Sequence, residues 1–367
     1  MSLKYNLIVG SFDTLRLFLL RFEFSSDNSP LLRIIDRFPS AGFHSWLALS
    51  KDQSRLYATA WTNPPSITSY NVGKCGTSVG KINSVEVGAR SGYVTASANA
   101  VYSAGGPSGE VFSIDPMTGG FGKLIQNLDF IDAENPQSID DLKHGAHSVD
   151  LSADEKALYI ADIGRNCIWT YAVNPDGSLT FGEKHLSPRD DGGPRHAFPH
   201  PSGDYLYSLE EHSSVVDVYA VTNGVFLNHL QSVKIIPTEE DPKIYWADEV
   251  RLSLANLSSP PYLFASTRGL EHHTKGYVAV FALNSEGRLK DLTPLDIWQT
   301  PTSGGLANAI QPGPIVNGKE YIALTDAQEG MVMIISWDGN RLEEVARAML
   351  DDGAQAATAL WFDVQPE

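Results

Sequence analysis

One pattern recurs along this chain and constrains the fold more than any other feature. A short apolar segment leads through a turn with Asp, Gly or Asn into a strand ending Leu-Tyr-x-Ala or a close variant. Trp46-Leu47-Ala48-Leu49 leads to Arg55-Leu56-Tyr57-Ala58, and His147-Ser148-Val149-Asp150-Leu151 leads to Ala157-Leu158-Tyr159-Ile160-Ala161. Arg195-His196-Ala197-Phe198 leads to Tyr205-Leu206-Tyr207, and Val250-Arg251-Leu252 leads to Tyr262-Leu263-Phe264-Ala265. A third strand of alternating apolar residues follows, as in Cys167–Val173, Val215–Val221 and Tyr277–Leu283, then a turn and an edge strand. Four antiparallel strands per unit make a propeller blade.

First strands begin near 46, 95, 147, 195, 248, 308 and 357, a spacing of roughly 48 to 60 residues that fits blades with loop insertions. The seventh start, Thr358-Ala359-Leu360-Trp361-Phe362, has no chain left for its partners. Three strands at the other terminus, Tyr5–Gly10, Leu15–Phe24 and Leu31–Phe38, supply them. The expectation is an all-β, seven-bladed β-propeller over residues 1–367, its ring closed by a blade drawn from both termini. Such closure removes open strand edges. A pair of β-sandwiches is the alternative, but it would not account for the split unit.

The formal net charge of −17 disfavours nucleic acid and anionic membrane surfaces as partners. Two cysteines are too few for a disulfide framework, and no run approaches the length of a membrane span. The first residues read as a strand rather than a signal peptide, so the cytosol is the expected location. The expected partner is a small molecule, with homo-oligomerisation left open. No HExxH, GxSxG or phosphate-loop motif occurs.

In a propeller the first strand of each blade borders the axis, so residues about fifty apart meet at one mouth of the channel. Reading the starts of those strands gives His44-Ser45-Trp46, His144-Gly145-Ala146-His147, Pro194-Arg195-His196, Asp248-Glu249 and Asn308. Second-strand ends add Glu210-Glu211 and Arg268. Plain structural roles compete throughout. His147 fits a core histidine, Arg195 an ion pair with Glu211, and Trp46 and Trp246 blade packing; His196, His200 and His212 fit packing or loops.

The strings His144–Val149, Gly193–Gly203 and Ala265–Gly269 resemble the lactonase-type seven-bladed propellers, which include bacterial 6-phosphogluconolactonases and fungal 3-carboxy-cis,cis-muconate lactonizing enzymes. Thr300–Gly305, Leu324–Gly330 and Glu344–Arg347 resemble the fungal branch. The resemblance implies catalytic roles for His147, Arg195, Glu211 and Arg268. At or near the channel-facing strand starts, Trp46, His144, His196, Trp246 and Asn308 are candidate substrate contacts, and the implied reaction needs no metal or organic cofactor. The resemblance implies cycloisomerisation: a substrate carboxylate adds to a conjugated double bond, arginines hold the carboxylates, and His147 protonates carbon. Glu211 would orient His147 or act as the acid itself. The chain departs from the fungal pattern at Leu306-Ala307-Asn308, Ala356-Ala357-Thr358 and Trp246-Ala247, each less polar than that branch. Three readings follow: a carboxymuconate cycloisomerase of aromatic catabolism, a relative that cyclises a larger and less charged secondary metabolite, and a propeller without catalysis. A hydrolytic lactonase is a close variant of the first.

Overall fold

A computed structural model describes residues 3–131 and 145–362. Its strands are numbered along the chain. The first three are β1 (Lys4–Ser11), β2 (Arg16–Phe24) and β3 (Pro30–Pro39). Blade 1 is β4 (Leu47–Leu49), β5 (Arg55–Ala60), β6 (Ser66–Val72) and β7 (Val79–Glu86). Blade 2 is β8 (Tyr93–Ala96), β9 (Ala100–Gly105), β10 (Ser108–Ile114) and β11 (Phe121–Asp129). Blade 3 is β12 (Ala146–Leu151), β13 (Ala157–Asp162), β14 (Cys167–Val173) and β15 (Leu179–Leu186). Blade 4 is β16 (Pro194–Pro199), β17 (Tyr205–Glu210), β18 (Val215–Thr222) and β19 (Phe226–Lys234). Blade 5 is β20 (Tyr245–Leu252), β21 (Tyr262–Gly269), β22 (Tyr277–Ala282) and β23 (Asp296–Gln299). Blade 6 is β24 (Ile310–Val316), β25 (Lys319–Asp326), β26 (Met331–Trp337) and β27 (Leu342–Met349). Blade 7 is built from both ends of the chain: β28 (Ala356–Trp361) pairs with β1, which continues through β2 to β3. The seven-bladed ring and the split blade are as the repeat predicts.

The apolar core is divided into layers between blades rather than gathered at a centre. Strand alternation produces this arrangement, since successive side chains point to opposite faces of a sheet. In β1, Leu7 and Val9 pack with Val332 and Ile334 of blade 6, while Ile8 between them packs with Leu47 and Leu56 of blade 1. In β13, Ile160 faces the layer shared with blade 2, and Tyr159 and Ala161 face blade 4.

Trp361 fastens the closing blade. It is buried, its indole N–H donates to the Gln311 carbonyl at 3.0 Å, and its ring lies edge-on to Phe22. Trp361→Ala should therefore lower the unfolding free energy by about 3–5 kcal/mol. The exposed Leu186→Ala should leave it within about 0.5 kcal/mol of wild type. Denaturant titration of both variants checks this.

Candidate functional site

Because strand side chains point into the layers between blades, a regular inner strand offers little but its backbone edge to the channel. Three neighbouring inner strands break that rule at equivalent positions. In β12, Ala146 faces Asp162 and Ser148 faces Ala161, which leaves His147 as an extra residue. In β16, Pro194 faces Glu210 and His196 faces Leu209, leaving Arg195 extra. In β20, Ala247 faces Thr267 and Glu249 faces Ser266, leaving Asp248 extra. A bulge of this kind redirects a side chain. β28 has the same irregularity, with Ala357 and Thr358 spanning the position opposite Gly10, but carries no ionisable group there.

Asp248 is the hub of the resulting cluster. Its Oδ1 accepts from Arg195 Nη2 at 3.1 Å and lies 3.4 Å from Arg268 Nε; its Oδ2 accepts from the Asn308 backbone N–H at 2.8 Å. Arg195 also donates from Nη1 to Glu211 Oε2 at 2.6 Å and from Nε to the Asp248 carbonyl at 3.0 Å. All three nitrogens of Arg195 are thus held by protein acceptors. Arg268 is less fully engaged. Nη1 donates to the Gly305 carbonyl at 3.0 Å, Nε is buried without a hydrogen-bond partner, and the guanidinium lies over the Trp246 ring at 4.9 Å. Burial, and next the charge of Arg195, press the Arg268 pKa below its ordinary value. A cation destabilised in this way gains from an added anion.

His147 stands beside these charges. Burial lowers its pKa well below the usual histidine value, Arg195, His196 and Arg268 push the same way, and the Arg195 backbone opposes. Its Nδ1 is buried and has no hydrogen-bond partner. Its ring is 5.4 Å from that of His196.

Beneath the cluster the channel is bridged from side to side. Trp46 of blade 1 stacks on Tyr93 of blade 2 at 3.7 Å and meets His196 of blade 4 edge-on at 5.6 Å. Arg251 of blade 5 reaches the Tyr93 hydroxyl from Nη2 at 3.2 Å, with its guanidinium over Trp46 at 5.2 Å and over Phe198 at 4.8 Å. The Tyr93 hydroxyl donates to Asp150 Oδ1 at 2.7 Å. Glu249 Oε1 is 2.7 Å from His196 Nδ1 and 2.9 Å from Arg251 Nη1. Burial pulls the His196 pKa down to about 3, assisted by Arg195 and Arg251; it pushes Glu249 up to about 7 against the pull of Arg251 and Arg195. These groups lie beneath a rim of His147, Arg195, Glu211, Asp248 and Arg268.

The four residues expected to act together are thus at one mouth. Glu211 pairs with Arg195, the ion pair weighed from the sequence, and not with His147 as the resemblance implied. Asn308 is fully buried, its Nδ2 donates to the Thr267 carbonyl, and Gly304 (φ +86) leaves room for its side chain. It belongs to that frame and is not offered to the channel. His196 and Trp46 form the floor, and Trp246 backs Arg268. His144 lies outside the described residues. His44 is held by the Thr59 carbonyl and Tyr70 hydroxyl, and His200 and His212 by Ser202 and Asp191. The sequence reading did not assign roles to Asp248, Glu249, Arg251, Tyr93 and Asp150. One signal was available: Arg251 interrupts the buried run Val250-Arg251-Leu252, where a charge requires a partner. Among the described residues no cluster of three or more His, Cys, Asp or Glu side chains is arranged to hold a metal.

A seven-bladed ring with an arginine-bearing cluster on its inner strands defines the class, and the chain belongs to the lactonase family of seven-bladed β-propellers, whose description, "Lactonase, 7-bladed beta-propeller", matches residues 6–300. Among its relatives is the protein named muconate cycloisomerase 1 of Cutaneotrichosporon cutaneum, 37% identical over 377 aligned positions covering 98% of each chain. Carboxy-cis,cis-muconate cyclase of Neurospora crassa is 32% identical over 266 positions, 70% of this chain and 67% of that one. The solved structure of a putative 6-phosphogluconolactonase from Bacteroides fragilis superposes with a TM-score of 0.78 over 98% of each chain; at 19% identity this likeness concerns the fold alone.

The two arginines should separate in stability. Arg195→Ala leaves Glu211 buried without its cation and Asp248 with Arg268 alone, and should lower the unfolding free energy by about 3 kcal/mol. Arg268→Ala also relieves repulsion with Arg195 and should cost about 1 kcal/mol or less. Equal losses in denaturant titration would assign both arginines the same structural role.

Proposed function

We propose that this protein is a cofactor-independent lactonizing cycloisomerase acting on cis,cis-muconate, its 3-carboxy derivative or a closely related unsaturated polycarboxylate. The observation that carries the reading is the rim cluster: Arg268, whose Nε has no hydrogen-bond partner, beside an Arg195 held at all three nitrogens, and His147 next to both. The names of the two relatives support the same chemistry.

In the reaction a substrate carboxylate oxygen attacks the conjugated system and a C–O bond forms. The displaced electron pair moves to the neighbouring carboxyl as an enolate. One proton then adds to carbon, so closure of the lactone consumes a proton and no water. Arg268 takes a substrate carboxylate and stabilises the enolate charge, with Trp246 holding its guanidinium plane. Arg195, fixed by Glu211 and Asp248, contributes its field and locates Arg268 through their shared hub. The two cations and two anions of the rim balance before substrate arrives, so the anionic substrate meets Arg268 rather than a net positive funnel. His147 delivers the proton. The arginines that depress its basicity in the free site are offset when substrate carboxylates lie against them, and its affinity for a proton rises at the step that needs one.

Purified protein mixed with cis,cis-muconate, and separately with the 3-carboxy compound, should consume the diene absorbance of at least one of them. A folded protein that leaves both unchanged would overturn the reading. Arg268→Ala should reduce kcat/KM by about 100-fold or more. His147→Gln should reduce kcat by about 100-fold while still binding substrate. Wild-type turnover by His147→Gln would remove it as the acid.

A further inference from the structure

Beneath the rim lies a buried circuit that begins and ends on the same strand. From Asp150 of β12 it passes through the Tyr93 hydroxyl to Arg251, from Arg251 to Glu249, from Glu249 to His196, and back to β12 at the ring of His147. Every member between the ends is buried, and so is Asp150. The circuit contains one permanent cation, Arg251, and two acids. Above it, Arg195 and Arg268 are balanced by Glu211 and Asp248, leaving no spare cation for a second buried carboxylate. With both acids ionised the circuit would carry an uncompensated buried negative charge, which costs several kcal/mol. With one acid protonated it is neutral. Of the two acids, Glu249 alone touches a group that leads to the rim. His196 Nε2 and His147 Nδ1, both buried and both without hydrogen-bond partners, belong to neighbouring rings.

We infer that Glu249 holds, at slightly acidic to neutral pH, the proton that cyclisation consumes, and that it reaches the substrate through His196 and His147. The inference rests on the cycloisomerase reading for its use, though not for its existence. Protons balance along the path. The two rings are not hydrogen-bonded to each other in the free site, so the handover requires His147 and His196 to turn into contact; His147 Nε2–H then gives its proton to the enolate carbon as His147 Nδ1 takes one from His196 Nε2. His196 Nδ1 takes the Glu249 proton in turn. The circuit is left one proton poorer and negatively charged until solvent restores it. Glu249 and His196 act through His147 and are positioning residues. This arrangement answers a difficulty in the proposed mechanism, since the free site keeps His147 without an extra proton of its own. The titratable and charged groups facing Glu249 and His196 are Asp150 on β12, Tyr93 on β8, Arg195 on β16, and Asp248 and Arg251 on β20. Burial raises both acids: Glu249 towards about 7 against its two arginines and the Val250 N–H, and Asp150 likewise, whose Oδ2 is buried without a hydrogen-bond partner; Glu249 is the one of the two in contact with His196.

Infrared difference spectra test the proton directly and require no turnover. At about pH 6, wild type minus E249Q should contain the carbonyl band of a protonated carboxylic acid. Carboxylate bands in its place would overturn the inference, as would an acid band that appears only in wild type minus D150N. Turnover tests the path: E249Q should lower kcat about 100-fold with KM changed by less than about twofold. H196Q breaks the same path independently, so the test survives if E249Q does not fold, and its kcat should fall with KM retained. An acid band that disappears in E249Q together with undiminished kcat in E249Q or H196Q would overturn the handover. Absence of turnover in the wild-type protein would count against the cycloisomerase reading and leave the infrared result standing.

Discussion

The geometry of the pleated strand governs both the stability and the chemistry of this molecule. Alternate side chains point to opposite faces, and in a ring of blades both faces are interior. That arrangement lets Leu7 and Ile8, adjacent in sequence, serve two different layers. It also leaves the channel poor in side chains. Function is placed where the pleat is interrupted, and the interruptions at His147, Arg195 and Asp248 fall on consecutive blades. The polar cluster is accordingly one-sided, built on blades 3 to 5, while the corresponding irregularity in β28 is occupied by Ala357 and Thr358.

The same three interruptions explain why the rim and the floor are linked. Each bulged residue is followed by one that returns to the pleat and is buried: Ser148, His196 and Glu249. His147 and Ser148, Arg195 and His196, Asp248 and Glu249 are therefore pairs in which the first member joins the rim cluster and the second lies in the layer beneath it. The chemistry of the rim is coupled to a buried layer by single peptide bonds, so a charge placed on one layer is felt in the other.

Much of this was legible in the sequence. The Leu-Tyr-x-Ala repeat gave the blade count, and the stranded seventh unit gave the closure through β28 and β1. The positions of His147, Arg195, Glu211 and Arg268 could be brought together because first-strand starts and second-strand ends converge in any propeller. What escaped is what periodicity does not encode. A bulge adds one residue to one strand, and no residue type in Ala146-His147-Ser148 announces it. An ion pair of Glu211 with Arg195 was one of two readings open to it, and the choice against His147 needed the direction in which each side chain leaves the strand. Asn308 looked like a channel group because it precedes a first strand, yet its side chain is turned onto the Thr267 carbonyl. Arg251 and Tyr93 were concealed because they meet across the axis from blades 5 and 2, a contact that no local pattern records.

The bridging of the axis by Trp46, Tyr93, His196 and Arg251 has a kinetic meaning. A propeller channel open at both ends would allow reactant to arrive by one end and product to depart by the other. With the axis spanned at this depth, traffic is two-way through one door. In the proposed reaction, product would leave past the same arginines that bind the substrate, and a lactone that retains a carboxylate would compete for the same guanidinium. Turnover in such a vessel would then depend as much on how weakly Arg268 grips the product as on how firmly it grips the reactant.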